Sequence, residues 1–266
     1  MKAYVISLPA SQERRRFQTE QLTRLGIEHI IFDAVGVSNL DSVDPSIALD
    51  QWERALMPTE VACFFSHYQL WQIIARSEQP ALVLEDDALL SDKVTAFLCL
   101  VQDLKGVDHI TLENRLRKKL LGPCQSLKSN LGIARLFQDR TGAAAYILWP
   151  SGAQLLVNHA HKNGAALADA FIGNFYLINS WQAVPALAVQ SDVAAQYGIQ
   201  SRLQTHSYIQ ANDSKANYQK TGFSAFRFKL RRLKSQLKLA KRFVLCAGRA
   251  KRMLVNVVTE DFNRNN

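Results

Sequence analysis

"ALVLEDDALLS", residues 81–91, sets an unbroken apolar run directly against three carboxylates, Glu85, Asp86 and Asp87. A short apolar run without alternation predicts a strand buried on both faces, the kind found at the centre of a parallel α/β sheet. Like charges crowded at the end of such a strand repel one another unless something compensates them. If the strand runs on through residue 87, Glu85 and Asp87 point to one face and Asp86 to the other. Two carboxylates so placed can hold Mg²⁺ or Mn²⁺, hard cations that take oxygen ligands and leave room for phosphate and water. Taken alone, the triplet is also the pattern of exposed acids at a strand end, or of a helix cap supplied by Asp87 or Asp92.

The flanking sequence supports the strand. "AYVISL", residues 3–8, is a short apolar strand. A helix follows from a start signal at Ser11 to a stop at Gly26, with an edge formed by Phe17, Gln21, Leu22 and Leu25. "IEHIIFDAV" predicts a second strand ending at Asp33. This β-α-β opening points to a parallel sheet. Residues 36–57 are a polar connection without a period. Residues 58–79 predict a helix capped by Thr59, with Val61, Phe64, Phe65, Tyr68, Trp71 and Ile74 at helical spacing. Beyond the triplet come a helix over 92–105, a strand "DHITLEN" and a mobile excursion over 115–139. Then follow a strand "GAAAYILWP", a helix from Ser151, a helical "LADAFIGNFYLI" and an extended segment broken at Pro185. In open α/β sheets ligands bind beyond the carboxyl ends of the strands, which is where the triplet falls.

Composition narrows the class. The chain of 266 residues is 48% hydrophobic, enough for one large domain or two small ones. Cys63, Cys99, Cys124 and Cys246 form no C-x-x-C pair and have no histidines at finger-like spacing, so a structural zinc site is not expected. The first residues are too broken by Ser7 and Pro9 for a signal-peptide core, and no run of about 18 apolar residues occurs. A reduced, cytoplasmic chain is the expectation. The net charge of +9 is not evenly spread: residues 1–213 carry −3 and residues 214–266 carry +12.

Two further constellations stand out. Ser66 and His67 interrupt the apolar periodicity of the 58–79 helix, either as a functional pair or as a buried, hydrogen-bonded histidine. Arg14, Arg15 and Arg16 open the first helix, where guanidiniums beside a helix N-terminus suit a pyrophosphate, or form a solvated face.

In this order, "YVISL…S-x-x-R-R", "E-V-A-C-F-F-S-H-Y-x-L-W", "A-L-V-L-E-D-D-A" and "T-G-A-A-A-Y-I-L-W-P-S-G-A", the motifs resemble glycosyltransferase family 25 over about residues 1–200. The resemblance implies a GT-A-like α/β fold with a mainly parallel central sheet. It implies a nucleotide-sugar donor, most often UDP-galactose, transferred with inversion to a lipooligosaccharide sugar, in a β-1,4 linkage. UDP-glucose is the same-family alternative. It makes Glu85–Asp87 the counterpart of a D-x-D metal motif, with Asp87 the leading ligand for Mn²⁺ or Mg²⁺ and Glu85 its partner. Donor contacts are expected from Ser7, Leu8, Ser11, Arg14, Arg15, Ser66, Glu85 and Asp86. Family members usually have glycine where Ala62 stands. For the base that takes the acceptor proton the candidates are Asp169, which matches an acidic position of the family, Asp192 and His67; Asp169 is preferred, and its other reading is a helix-surface acid.

The tail, residues 214–266, is a unit apart from a 1–213 transferase domain. Phe223, Phe226, Leu230, Leu233, Leu237, Ala240 and Val244 recur at steps of three and four, with Arg227, Arg231, Lys234, Lys238 and Lys241 largely on the other side. No Asp or Glu occurs from Ser214 to Thr259. The pattern is a basic amphipathic helix. It could pack on the body or on a second copy in a homodimer, bind nucleic acid, or dock on an anionic membrane through residues 222–254. Lipid docking on the cytoplasmic face of the inner membrane fits a lipid-anchored oligosaccharide acceptor. A nucleic-acid partner is disfavoured by the net negative body, and a non-catalytic scaffold by the retained Ser66, His67 and carboxylate triplet.

Overall fold

The computed structural model describes residues 1–139, 142–203 and 223–262, the side chains of 223–225 excepted. In chain order its strands are β1 (Ala3–Ser7), β2 (His29–Asp33), β3 (Ala81–Glu85), β4 (Ala88–Leu90), β5 (His109–Thr111), β6 (Lys119–Ser126), β7 (Gly132–Gln138), β8 (Ala145–Leu148), β9 (Ser180–Val184), β10 (Ala188–Gln190) and β11 (Lys251–Met253). The α-helices are α1 (Gln12–Arg24), α2 (Pro58–Ala75), α3 (Val94–Val101), α4 (Pro150–Asn163), α5 (Ala168–Gly173), α6 (Ser191–Ala194) and α7 (Phe223–Leu245).

Nine strands form one sheet in the order β11-β6-β7-β9-β5-β8-β3-β1-β2, and β4 pairs with β10 in a small second sheet. Six strands of the large sheet run one way, and β8, β7 and β11 run against them. Direct parallel pairing occurs at β1–β2, β1–β3 and β5–β9. The sheet is therefore mixed, with an antiparallel β8 wedged between β3 and β5.

The both-face burial expected of β3 is present. Val83 joins Tyr146, Leu148 and the aromatic face of α2 (Phe64, Tyr68, Trp71) in one core layer. Leu82 and Leu84 join Ala3, Val5, Ile147 and the inner faces of α1 and α3 in the other. Alternate side chains of one strand thus feed two cores, giving helix, sheet and helix layers.

Several local expectations are corrected. The strand of residues 81–90 does not run through Asp87: β3 ends at Glu85, Asp86 and Asp87 form a turn, and β4 leaves for the second sheet. The turn is held by buried amides of α1. Gln18 Nε2 donates to Ala88 O at 2.8 Å, Gln21 Nε2 donates to the same oxygen at 3.0 Å, and Leu90 N donates to Gln21 Oε1 at 2.9 Å. Side chains here satisfy the backbone groups that an interrupted ladder leaves open. The excursion over 115–139 is the β6–β7 hairpin, turning at Ser129 and Asn130 with φ of 61° and 57°. Thr59 is not the cap of α2: the helix begins at Pro58, and Glu60 Oε2 accepts the Met57 amide at 2.9 Å. Helix α5 ends at Gly173, well short of the stretch expected to be helical. The 213/214 boundary lies outside the described residues. Beyond α7 the chain returns to the body, where β11 pairs with β6 and Phe262 is buried.

Candidate active site

A cleft of about 390 Å³ opens where β1 and β3 end, beneath the N-terminal half of α2. Of the residues singled out in the sequence, Ser7, Leu8, Ser11, Arg14, Ser66, His67, Glu85, Asp86 and Asp87 line it, together with Asp192. Arg15 and Asp169 do not.

The three carboxylates have separate environments. Asp86 is spent on structure: its Oδ2 accepts Ser7 Oγ at 2.7 Å and its Oδ1 accepts Arg14 Nη1 at 2.9 Å. It thereby pins the end of β1 and the first turn of α1 to the β3 turn, and holds a guanidinium at the cleft wall. Glu85 Oε1 faces His67 Nε2 at 3.3 Å, and its Oε2 faces Gln190 Nε2 at 3.4 Å. Asp87 Oδ1 is buried, and no donor among the described residues reaches it. Burial first, and then the neighbouring carboxylates, push the Glu85 and Asp87 carboxyls well above the ordinary range. A buried acceptor without a donor, in a wall of crowded carboxylates, fits a divalent cation: its charge would remove the repulsion and occupy the orphaned oxygen. Asp87 and Glu85 are the residues that could hold it. A second donor set, Cys63, His67 and Glu85, has its ligand atoms within 4.8 Å of one another. It is softer, and burial keeps its Cys63 thiol protonated by raising its pKa.

Arg15 serves as a brace. Its Nε donates to Leu8 O at 3.0 Å and its Nη2 to Ser7 O at 2.6 Å, while the same Nη2 meets Asp33 Oδ1 at 2.5 Å. Ser66 Oγ donates to Ala62 O at 2.8 Å and accepts Val35 N at 2.9 Å, which fixes the loop after β2 over α2. His67 is fully buried, and burial lowers its pKa to about 4, so it is neutral.

Asp169 lies in the first turn of α5 and lines a small cavity with His109, Asp139, Gly142 and Arg242. Its charge acts on His67 and Glu85, which puts it within electrostatic range of the cleft, and burial raises its carboxyl. Asp192 pairs with Arg115 at the cleft rim. Arg115, Gln190 and Ser191 are cleft residues not anticipated from the sequence. Arg115 stands in the segment read as an excursion, where "RLRKK" carried the only signal.

Residues 1–172 match the sequence pattern of glycosyltransferase family 25 (LPS biosynthesis protein). The chain is similar to the lipooligosaccharide biosynthesis protein lic2B of Haemophilus influenzae, 27% identical over 70% of this chain and 75% of that protein. It is also similar to the lacto-N-neotetraose biosynthesis glycosyltransferase LgtE of Neisseria gonorrhoeae, 30% identical over 56% of each chain. Among solved structures, a Drosophila galactosyltransferase 7 in complex with manganese, UDP-Gal and xylobiose aligns over 78% of this chain and 77% of its own. The two chains are 10% identical, with a TM-score of 0.34. The family pattern runs from β1 into α5 and takes in the carboxylate triplet, Asp169 and the cleft residues up to Arg115, with Gln190, Ser191 and Asp192 beyond it: the chain belongs to glycosyltransferase family 25.

Proposed function

We propose that this glycosyltransferase moves a hexose, galactose from UDP-galactose, onto a sugar of a lipid-anchored lipooligosaccharide. The transfer inverts the anomeric carbon, makes a β-1,4 linkage and uses Mn²⁺ or Mg²⁺ in a GT-A-like fold. The observation that carries this reading is Asp87 Oδ1, buried without a donor among the described residues in a carboxylate-lined cleft at the strand ends. The names of the Haemophilus and Neisseria relatives support the acceptor class.

Each part of the cleft then has a task. Ile6, Ala34, Val35 and Val37 offer an apolar wall for the nucleoside. Arg14, held by Asp86, and Arg115, held by Asp192, bring guanidiniums whose planar donors suit phosphate oxygens. Asp87 and Glu85 hold the cation, which when bound supplies positive charge for the departing diphosphate. The acceptor hydroxyl attacks the anomeric carbon from the face opposite the diphosphate. The new C–O bond forms as the bond to phosphate breaks, and the hydroxyl proton passes to Asp169. A carboxylate whose pKa is raised by burial is a stronger base than a solvated one.

Thermal stabilisation and transfer measured over a panel of UDP-sugars, with and without Mn²⁺, test the reading and separate galactose from glucose. No response to any UDP-sugar removes it. Asp169→Asn is expected to abolish transfer while UDP-sugar binding is kept; full activity in that variant rejects Asp169 as the base.

The enzyme works, on this reading, as a peripheral protein at the cytoplasmic face of an anionic membrane. Support comes from α7, whose Phe226, Leu230, Leu233, Leu237 and Val244 are all exposed. No helix among the described residues is long and apolar enough to cross a membrane.

A further inference from the structure

Three buried side chains lead from the core to the cleft. Trp71 Nε1 donates to Tyr146 Oη at 2.9 Å, Tyr146 Oη lies 2.9 Å from His67 Nδ1, and His67 Nε2 lies 3.3 Å from Glu85 Oε1. All three are 0% exposed, so water does not compete for these groups. Valence settles the direction of each bond. An indole N–H only donates, so the tyrosine oxygen accepts there. The one hydroxyl hydrogen of Tyr146 then has His67 Nδ1 as its acceptor. A neutral imidazole that accepts at Nδ1 carries its proton on Nε2, aimed at Glu85. The opposite tautomer would point Nδ1–H at the tyrosine oxygen and strand the tyrosine hydrogen in the core, at the cost of an unmade buried hydrogen bond; against an ionised Glu85 it would also set a bare ring nitrogen beside a carboxylate oxygen.

We propose that Trp71, Tyr146 and His67 form a fixed donor chain whose end, the Nε2–H of His67, orients the Glu85 carboxylate at the cleft, so that His67 is a positioning residue and not the proton acceptor of the transfer. Both ring nitrogens are committed, leaving His67 no free lone pair for an acceptor hydroxyl. Gln190 Nε2 holds the second oxygen of Glu85 from the other side, so the carboxylate is gripped at both ends. The strand break after Glu85 gives the chain its purpose: without a continuing ladder, side chains must fix where this carboxylate points. The consequence for transfer rests on the reading of the cleft as a cation and diphosphate site; the tautomer does not.

The tautomer is read directly by ¹⁵N NMR of histidine-labelled full-length protein, with the His67 signals assigned by their loss in His67→Gln. The expected result is a protonated Nε2 and an unprotonated Nδ1; a protonated Nδ1 overturns the proposal. Tyr146→Phe keeps the ring and removes the hydroxyl. It is expected to shift the Nδ1 resonance and to weaken binding of Mn²⁺ alone by about tenfold or more, the usual effect of losing an outer partner of a metal ligand. Unchanged Mn²⁺ affinity in that variant also counts against the proposal. In transfer assays His67→Gln, whose amide can still donate to Glu85, should stay within about tenfold of wild type, and His67→Leu should lose about a hundredfold. Equal losses in two variants with wild-type melting curves would show that His67 handles the proton. If the wild-type protein responds to no UDP-sugar, the donor reading fails, and the NMR tautomer still decides the chain.

Discussion

At the scale of single residues, three adjacent carboxylates do three jobs. Asp86 is saturated by Ser7 and Arg14, Glu85 is gripped by His67 and Gln190, and Asp87 presents an oxygen with no donor among the described residues. Substitution should separate them. Asp87→Asn is expected to abolish Mn²⁺-dependent stabilisation by UDP and to cut kcat/KM by at least about a hundredfold, with the metal-free melting temperature held or raised because a crowded buried charge is gone. Asp86→Asn should instead lower stability by about 1–3 kcal/mol in urea titration, the range for lost hydrogen bonds to a charged group. If the two variants behave alike, the division of labour is wrong. The triplet and its place at a strand end were legible in the sequence. The family resemblance puts Asp87 first as ligand; that Asp86 is saturated was not legible, because its partners lie 79 and 72 positions away in the chain.

At the scale of elements, periodicity located β1, β2, β3, β8 and the aromatic helix α2, where burial dominates and the apolar pattern is strong. It failed where polar residues hold structure. Gln18 has the look of a surface residue of α1, and only spacing places Gln21 on its packing edge; both are buried and clamp the turn that ends β3. In the β6–β7 hairpin Lys119, Gly122 and Gly132 are buried and Arg135 is half-buried, with only residues 123–126 of the two strands exposed, so polar residues and glycines interrupt the apolar run that would mark a strand. Below this hairpin lies a polar core that the sequence does not announce. Lys119 Nζ bonds Gln182 Oε1 at 2.7 Å, Asp139 Oδ2 at 2.7 Å and the Glu113 carbonyl at 2.9 Å. Burial pushes the Glu113 carboxyl up to about 8, with the Lys119 charge opposing it. The folded pKa is above the unfolded one, so the folded state binds the extra proton. Its contribution is complete below the ordinary glutamate range and is lost as pH rises through about 8. Glu113→Gln should flatten that loss: between pH 6 and pH 9, urea titrations should show wild type losing on the order of 1–3 kcal/mol more than the variant. Parallel pH profiles would mean that Glu113 is ionised in the folded protein.

At the scale of the whole molecule, the distribution of charge and apolar surface gives the protein an orientation. Residues 1–213 sum to −3 and residues 214–266 to +12. The sequence could not say which side of α7 meets the body; the structure does. Phe228, Arg231, Ser235, Leu239 and Arg242 are half-buried and Cys246 is buried, and they recur at steps of three and four along one face. Arg231 reaches Trp52 O at 3.3 Å and Gln51 Oε1 at 3.0 Å; Arg242 reaches Phe137 O at 3.2 Å and sits 4.8 Å from the Tyr176 ring centroid. The apolar stripe from Phe226 to Val244 lies on the opposite side of the helix at 100° per residue, pointing away from the body. Packing of the stripe on its own body, one of the readings open at the level of sequence, is therefore excluded for the described residues. Arg227, Lys234, Lys238 and Lys241 border the stripe along one flank, with Lys229 and Arg232 on the other, all exposed. Arg242 also lines the cavity that holds Asp169. The full chain is expected to sediment with phosphatidylglycerol-containing vesicles, to bind neutral phosphatidylcholine vesicles weakly, and to be released by salt, since each basic residue near an anionic surface is worth about 1 kcal/mol. Leu233→Ser combined with Leu237→Ser should weaken vesicle binding by about tenfold or more, from about 1 kcal/mol of apolar burial lost at each position. Hydrolysis of free UDP-sugar should be unaffected, because neither leucine lines the cleft. Sedimentation unchanged by the double substitution, or self-association without lipid and no vesicle binding, would show that the stripe belongs to a protein partner.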